Sequence, residues 1–162
     1  MSILNSLMSR TRSMIQHYDH RKYWRLRKKI TSGQGNKLLR LFWLYRVKYM
    51  DAKNCASMGT NLDKSAVFAS PPILPHGLYG IIVSHEAVIG ENVTIFHQVT
   101  IGRNHGAAPI IGNNVMIGAG AKIIGGVKIG NNVKIGANCV VCTDVPDNCT
   151  VVLPKPRIIL KE

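Results

Sequence analysis

The sequence predicts a mainly β protein, a parallel β-helix of hexapeptide repeats behind a short basic α-helical segment. Three observations predict it. In "IIGNNVMIGAGAKIIGGVKIGNNVKIGANCVV", residues 110–141, an aliphatic residue returns every six positions. A helix would repeat its apolar face near 3.6 and a half-buried strand near 2, so a period of six requires sides and corners that recur together. Glycine and asparagine recur in phase, as in Gly112-Asn113-Asn114 and Gly130-Asn131-Asn132, where a corner needs the left-handed backbone region. The third observation is a break in charge. Residues 1–50 hold twelve Lys or Arg against Asp19 alone, a net of +11 within a whole-chain charge of +13, and the rest is nearly neutral.

The 162 residues suffice for one cored domain and a small appendage. Residues 1–60 read as the basic helical segment and 61–162 as the β-helix with a C-terminal tail. Within the first part, residues 3–30 read as one basic helix and Thr31–Asn36 as a turn rich in glycine and short polar side chains. "KLLRLFWLYRVKYM" reads as a second helix, with Lys37, Arg40 and Lys48 on one side. Leu38, Leu41, Phe42 and Tyr45 form its apolar stripe. That stripe is expected to pack against the neighbouring helix or domain, and Trp43 and Tyr45 beside basic charge leave a membrane-interface role open.

The longest apolar run near this segment, Leu41 to Tyr45, falls far short of the roughly 20 residues that span a bilayer. The first thirty residues lack both an uninterrupted apolar stretch and a small-residue cleavage site, so the expected location is cytoplasmic. Cys139 and Cys142 form a Cys-x-x-Cys, but no second pair or nearby histidine completes a zinc set, and no metal is expected.

Read in sixes from Val83, the first positions are Val83, Ile89, Ile95 and Ile101, then, after four extra residues, Ile111, Ile117, Ile123, Ile129, Ile135 and Val141. The fifth positions are Ala87, Val93, Val99, Val115, Ala121, Val127, Val133, Cys139 and Val145. Three hexads make one triangular coil of eighteen residues with both positions pointing inward, and each coil hydrogen-bonds to the next. The interruption "GRNHGAAP", residues 102–109, must leave one corner as a loop, and such excursions commonly carry function.

Stacking the coils puts Tyr79, His97, Ala119 and Ala137 in one column. Small residues beside a histidine would let a narrow, extended ligand lie along the prism with a base at its end. His76, in "LPHGLYGII" just before the regular hexads, is a candidate base, because imidazole titrates near neutrality.

The stretch from His76 to Arg157 resembles the hexapeptide-repeat acyltransferases, whose β-helix is left-handed. "LPHGLYGIIVSHEAVIGENVTIFHQVTIG" with "VMIGAGAKIIG" resembles the branch of serine acetyltransferases and capsular or surface-polysaccharide O-acetyltransferases. The resemblance implies a homotrimer with acetyl-CoA in the groove between prisms, and His76 as the base that deprotonates the acceptor hydroxyl. It also implies that backbone N–H groups near Gly102 and Arg103 stabilise the oxyanion. Ala119 and Ala137 would line the pantetheine path, Arg157 with Lys155 would meet the nucleotide phosphates, and Tyr79, His97 and His105 would border the acceptor. His105 is also the rival base, since another branch keeps its catalytic histidine in this loop.

The sequence departs from the serine acetyltransferase pattern at several points. The aspartate that orients the base is Asn61, with Asp63 two residues on as a substitute. The aspartate that precedes the base and meets serine's ammonium is Pro75, and Ala107-Ala108 replace an Arg-His pair. A zwitterion without counter-charges loses hydration without replacement. The expected acceptor is therefore a hydroxyl of a sugar or surface polysaccharide, with serine as the alternative. The basic segment would then rest on an anionic membrane at its inner face, or on an acidic glycan. Hexapeptide-type carbonic anhydrase is a remote alternative, because "IGAGAKII" lacks the further zinc histidines. A non-catalytic scaffold is another; no base-reading motif supports specific nucleic-acid binding.

Overall fold

The computed structural model describes residues 11, 17–155 and 159. Two helices, α1 (His20–Thr31) and α2 (Lys37–Lys53), stand before a three-sided prism. Asp19 is extended and accepts a hydrogen bond from the Lys22 N–H at 2.9 Å, which caps α1. His17, just before it, has a φ of 49°. The single helix expected over 3–30 is therefore broken at 17–19, since a capped start cannot be helix interior. Its parts at 3–10 and 12–16 lie outside the described residues. Asn36 caps α2 in the same way, accepting from the Leu39 N–H at 2.9 Å.

Buried polar contacts fasten the helices to the first coil. The Arg27 guanidinium is buried between Trp24 and Phe68, 4.8 Å from the Phe68 ring centroid, and donates to Thr60 Oγ1 at 3.0 Å and to the Ala66 carbonyl. Cation–π contacts and satisfied donors offset the cost of burying this charge. Tyr23 Oη donates to Asp51 Oδ1 at 2.7 Å, and burial pushes the Asp51 carboxyl up to about 6. Arg40 donates to the carbonyls of Ile30 and Leu62, at 3.2 and 2.7 Å, so it does not join Lys37 and Lys48 in a surface cluster as expected. The expected packing of the α2 stripe is not found either. Val47 and Met50, on the other side of the helix, are buried, whereas Leu38, Leu41, Phe42 and Tyr45 face outward.

The prism has three parallel sheets. One contains β1 (Ser57–Met58), β3 (Ile82–Val83), β6 (Thr100–Gly102), β9 (Lys122–Ile124) and β12 (Val140–Val141). The second contains β2 (Val67–Phe68), β4 (Val88–Ile89), β7 (Ile110–Ile111) and β10 (Lys128–Ile129). The third contains β5 (Thr94–Ile95), β8 (Met116–Ile117), β11 (Lys134–Ile135) and β13 (Thr150–Val151). Because β1 pairs with β3, the prism already begins before residue 60.

The hexad phase holds throughout. Every first and fifth position named from Val83 to Val145 is buried. Each fully buried Ile is worth about 1.5–3 kcal/mol relative to exposure. The corners explain the paired asparagines. Asn92, Asn114, Asn132 and Asn148 all adopt φ between 54° and 59°, and their amides form a ladder with N···O distances of 3.3, 3.2 and 2.9 Å. The preceding residues form a second ladder. Asn113 Oδ1 accepts from the Glu91 N–H, Asn131 Oδ1 from Asn113, and Asp147 Oδ1 from Asn131.

Candidate functional site

The first coil breaks the eighteen-residue rule. Ile73 bridges to Thr94, twenty-one residues on, whereas the Gln98 N–H donates to the Tyr79 carbonyl, in register with Tyr79 under His97 eighteen residues on. Three extra residues therefore lie between Ile73 and Tyr79. They lift His76 out of the corner, and Gly77 and Gly80 turn the chain with φ of 70° and 66°. At Gly80 a side chain would also crowd Gln98, whose Cγ lies 3.0 Å from an ideal Cβ.

The excursion carries the exposed His76 up to the half-buried His97 of the next coil. Their Nδ1 atoms are 2.6 Å apart and their ring centroids 4.7 Å apart. Phe96 meets the His76 ring edge-on at 5.6 Å and forms a wall. In such an Nδ1···Nδ1 bond one ring donates and the other accepts. When His76 donates, its Nε2 carries a free lone pair directed away from His97, which is the form a general base needs.

The column above the pair is as expected. The His97 carbonyl accepts from Gly120 N–H at 3.0 Å and the Ala119 carbonyl from Asn138 N–H at 2.8 Å, so Tyr79, His97, Ala119 and Ala137 stack along one edge. From His97 to Ala137 is two coils, about 10 Å at the usual strand spacing. Lys122 stands next to this edge, its Nζ donating to the Gly120 carbonyl at 3.2 Å, and supplies a cation beside the column.

The other candidates lie elsewhere on the chain. Residues 102–109 leave the opposite end of the β6 side as a tight hairpin. Asn104 and Ala107 exchange two backbone hydrogen bonds of 2.9 and 3.1 Å, and the tip residues His105 and Gly106 have φ of 47° and 83°, as a type I′ turn requires. His105 is exposed there, while Arg103 reaches back to Glu86 at 3.4 Å. Lys64 donates to the same Glu86 at 2.6 Å and holds its carboxyl below the usual range. Within one chain, Gly102, Arg103 and His105 are thus separated from His76 by a full side of the prism.

Asn61 exchanges hydrogen bonds with Ser65, its N–H donating to Ser65 Oγ at 2.9 Å and its carbonyl accepting at 2.8 Å. Asp63 lines a cleft of about 570 Å³ that also borders Trp24, Arg27 and Phe68 on the helical side. The ring partner of His76 is His97, a role that sequence reading did not assign. A count of the corner residues between Ile73 and Tyr79 would have been needed to find it. Lys155 is exposed, and Arg157 lies outside the described residues. Cys139 is a core residue and Cys142 is exposed.

Comparison with known proteins gives consistent likenesses. The family described as bacterial transferase hexapeptide (six repeats) matches residues 108–143. The serine acetyltransferase of Helicobacter pylori strain 26695 is 37% identical over 111 residues, 64% of this chain and 63% of that protein. A probable serine acetyltransferase of rice is 45% identical over 103 residues, 61% of this chain and 30% of that one. Among solved structures, Neisseria gonorrhoeae serine acetyltransferase in complex with serine superposes with a TM-score of 0.64 at 34% identity, covering 83% of this chain and 54% of that chain. The Brucella abortus enzyme gives 0.65 at 31% identity, covering 82% and 52%. The chain therefore spans less than two thirds of the length of these relatives. The shared architecture is a left-handed parallel β-helix, here behind two helices.

Proposed function

We propose, from a β-helix that is a hexapeptide-repeat domain of the bacterial transferase type, that the protein is an acetyl-CoA-dependent O-acetyltransferase acting on the hydroxyl of serine. The observation that carries the chemistry is the His76–His97 pair at the foot of the small-residue column. The observation that favours serine is the likeness to the serine-bound structure, which extends over 83% of the chain and so includes more than the repeats. The sugar acceptor expected from the sequence thus becomes the second reading. It keeps one structural argument: the uncharged Pro75 beside His76 offers no partner to an ammonium group.

In the proposed reaction, acetyl-CoA lies along the Tyr79–His97–Ala119–Ala137 edge with its thioester beside His76. His76 Nε2 takes the hydroxyl proton as the oxygen attacks the thioester carbonyl. Collapse of the tetrahedral intermediate forms the ester and expels the coenzyme A thiolate, which recovers the proton from His76. Protonation makes the His76 Nδ1–H a cationic donor, and the bond to neutral His97 becomes charge-assisted. His97 thereby fills the orienting role for which Asn61 and Asp63 were the sequence candidates.

The oxyanion donors near Gly102 and Arg103 come from a second copy in this proposal, because one chain holds them a prism side away from His76. A trimer with each donor groove between two prisms satisfies that requirement. Lys122, beside the column, would meet the anionic end of the coenzyme, and Lys155 and Arg157 keep the phosphate role that the family resemblance implies.

Thiol release from acetyl-CoA in the presence of serine or of candidate saccharides tests the acceptor. Serine-dependent release is expected; release with a saccharide alone overturns the serine assignment. In the same assay His97→Ala should lower kcat by roughly tenfold or more, a part of the 10²–10⁴ that a general base contributes. His97→Asn, which keeps an acceptor near the Nδ1 position, should recover part of the loss. Equal activity of His97→Ala and parent would remove the positioning role.

A further inference from the structure

From the outward face of α2 we infer a docking surface for an anionic lipid bilayer, on which the helix lies flat. Leu38, Leu41, Phe42, Tyr45 and Tyr49 follow the i, i+3, i+4, i+7, i+11 spacing that aligns side chains in one stripe of about 100°. All five are exposed, with Leu38 at 77%, Phe42 at 54% and Tyr45 at 64%. A stripe this long and open is uncommon on a surface meant only for water. It runs from Leu38 to Tyr49, eleven steps or about 17 Å at 1.5 Å per residue.

Charge identifies the occupant. Lys37 and Lys48 border one edge of the stripe, and Arg46 and Lys53 the other. The borders lean on the aromatic rings, the Arg46 guanidinium 6.0 Å from the Phe42 centroid and Lys53 Nζ 5.6 Å from that of Tyr49. Long basic side chains flanking an apolar face can extend to phosphates while their stems stay on hydrocarbon. The one carboxylate of α2, Asp51, is buried on the opposite side. A cleft of about 410 Å³ beside the stripe, bordered by Lys22, Arg46, Tyr45 and Tyr49, continues the same character, with Asp19 at its rim.

A second copy of this chain suits the face less well. Pairing two such stripes would bring like charges together, and a different face would need spare carboxylates. Of the eight acidic residues, Asp51 is buried, Asp19, Asp144 and Asp147 cap backbone N–H groups, and Glu86 holds Lys64 and Arg103, so among the described residues only Asp63 and Glu91 are left to meet the basic borders. An anionic leaflet supplies both the apolar layer and the negative charge.

Co-sedimentation of the full chain with vesicles tests the inference. Binding to phosphatidylcholine–phosphatidylglycerol vesicles is expected, with much weaker binding to phosphatidylcholine alone and release as salt rises. Leu41→Ser combined with Phe42→Ser should weaken vesicle binding at least tenfold, and Arg46→Glu or Lys48→Glu roughly fivefold each. These residues are exposed or half-buried on the face away from the core, so helix content and acetyl transfer should be unchanged. His76→Ala should bind vesicles as the parent does, which separates this surface from the catalytic proposal. Full vesicle binding by the serine double variant would overturn the inference, whether charge alone then carries binding or the substitution instead lowers the oligomer mass and marks the stripe as a contact between copies.

Discussion

Replacing His76 with alanine is expected to lower acetyl transfer by about 10²- to 10⁴-fold, the range a positioned general base supplies. The loss should fall on kcat, because the ring touches the reacting hydroxyl and not the body of the donor. His76 is exposed on a corner excursion, so its removal should leave the unfolding midpoint unchanged within about 0.5 kcal/mol. The parallel variant His105→Ala is the control. His105 sits at the tip of the 104–107 hairpin, beyond the donors that a second copy supplies, and its loss should cost far less turnover than that of His76. Full activity in His76→Ala with loss in His105→Ala would move the base to the loop and leave the His76–His97 pair without a catalytic role.

A large stability effect is expected at Gly118. Its position in the coil puts an added Cβ 2.6 Å from the Ala137 nitrogen, 2.8 Å from the Gly136 carbonyl carbon and 2.9 Å from the Ile135 oxygen. All three are backbone atoms of the next coil, and none can move without displacing the ladder. Replacing glycine by alanine within a regular element ordinarily stabilises it by about 0.5–1 kcal/mol. Here overpacking reverses the sign, and Gly118→Ala should cost about 3 kcal/mol, with Gly118→Val costing more. Gly106 gives the contrast. A Cβ there meets nothing within 4 Å, and only its φ of 83° opposes a side chain, so Gly106→Ala should cost about 1 kcal/mol. Chemical denaturation checks both. Equal midpoints for Gly118→Ala and the parent would mean that adjacent coils are further apart at that corner.

The hexad phase was legible because each buried position repeats its neighbour's environment. Ile117 and Ile135 pair across coils in β8 and β11, and the sequence signals both with the same Ile-Gly. The asparagine pairs announced their corners for a similar reason, since αL backbone and an amide ladder both favour Asn. The loop at 102–109 was visible as a break in an otherwise strict period. The bulge that lifts His76 was not visible, because it lies before the first regular hexad and no period exists there to interrupt. That missing count hid the His76–His97 contact, although each histidine stands out singly in the sequence.

The helical segment was less legible. Its basic residues look alike in sequence, yet Arg27 and Arg40 spend their donors on carbonyls of Ala66, Ile30 and Leu62. Only the fold decides which cations face water. Likewise the α2 stripe has the spacing of a core face, and its exposure follows from Val47 and Met50 being the side that meets the protein.

The proposed catalysis requires a donor lying along the Tyr79–His97–Ala119–Ala137 edge and ending at His76. Calorimetric titration of coenzyme A into the assembled parent and into Ala119→Trp tests this most directly, with folding of the variant checked by circular dichroism. The parent should bind, and the indole placed in the column should weaken binding at least tenfold. A folded parent that takes up no coenzyme A, or a folded Ala119→Trp protein that binds it as tightly as the parent, would contradict the account.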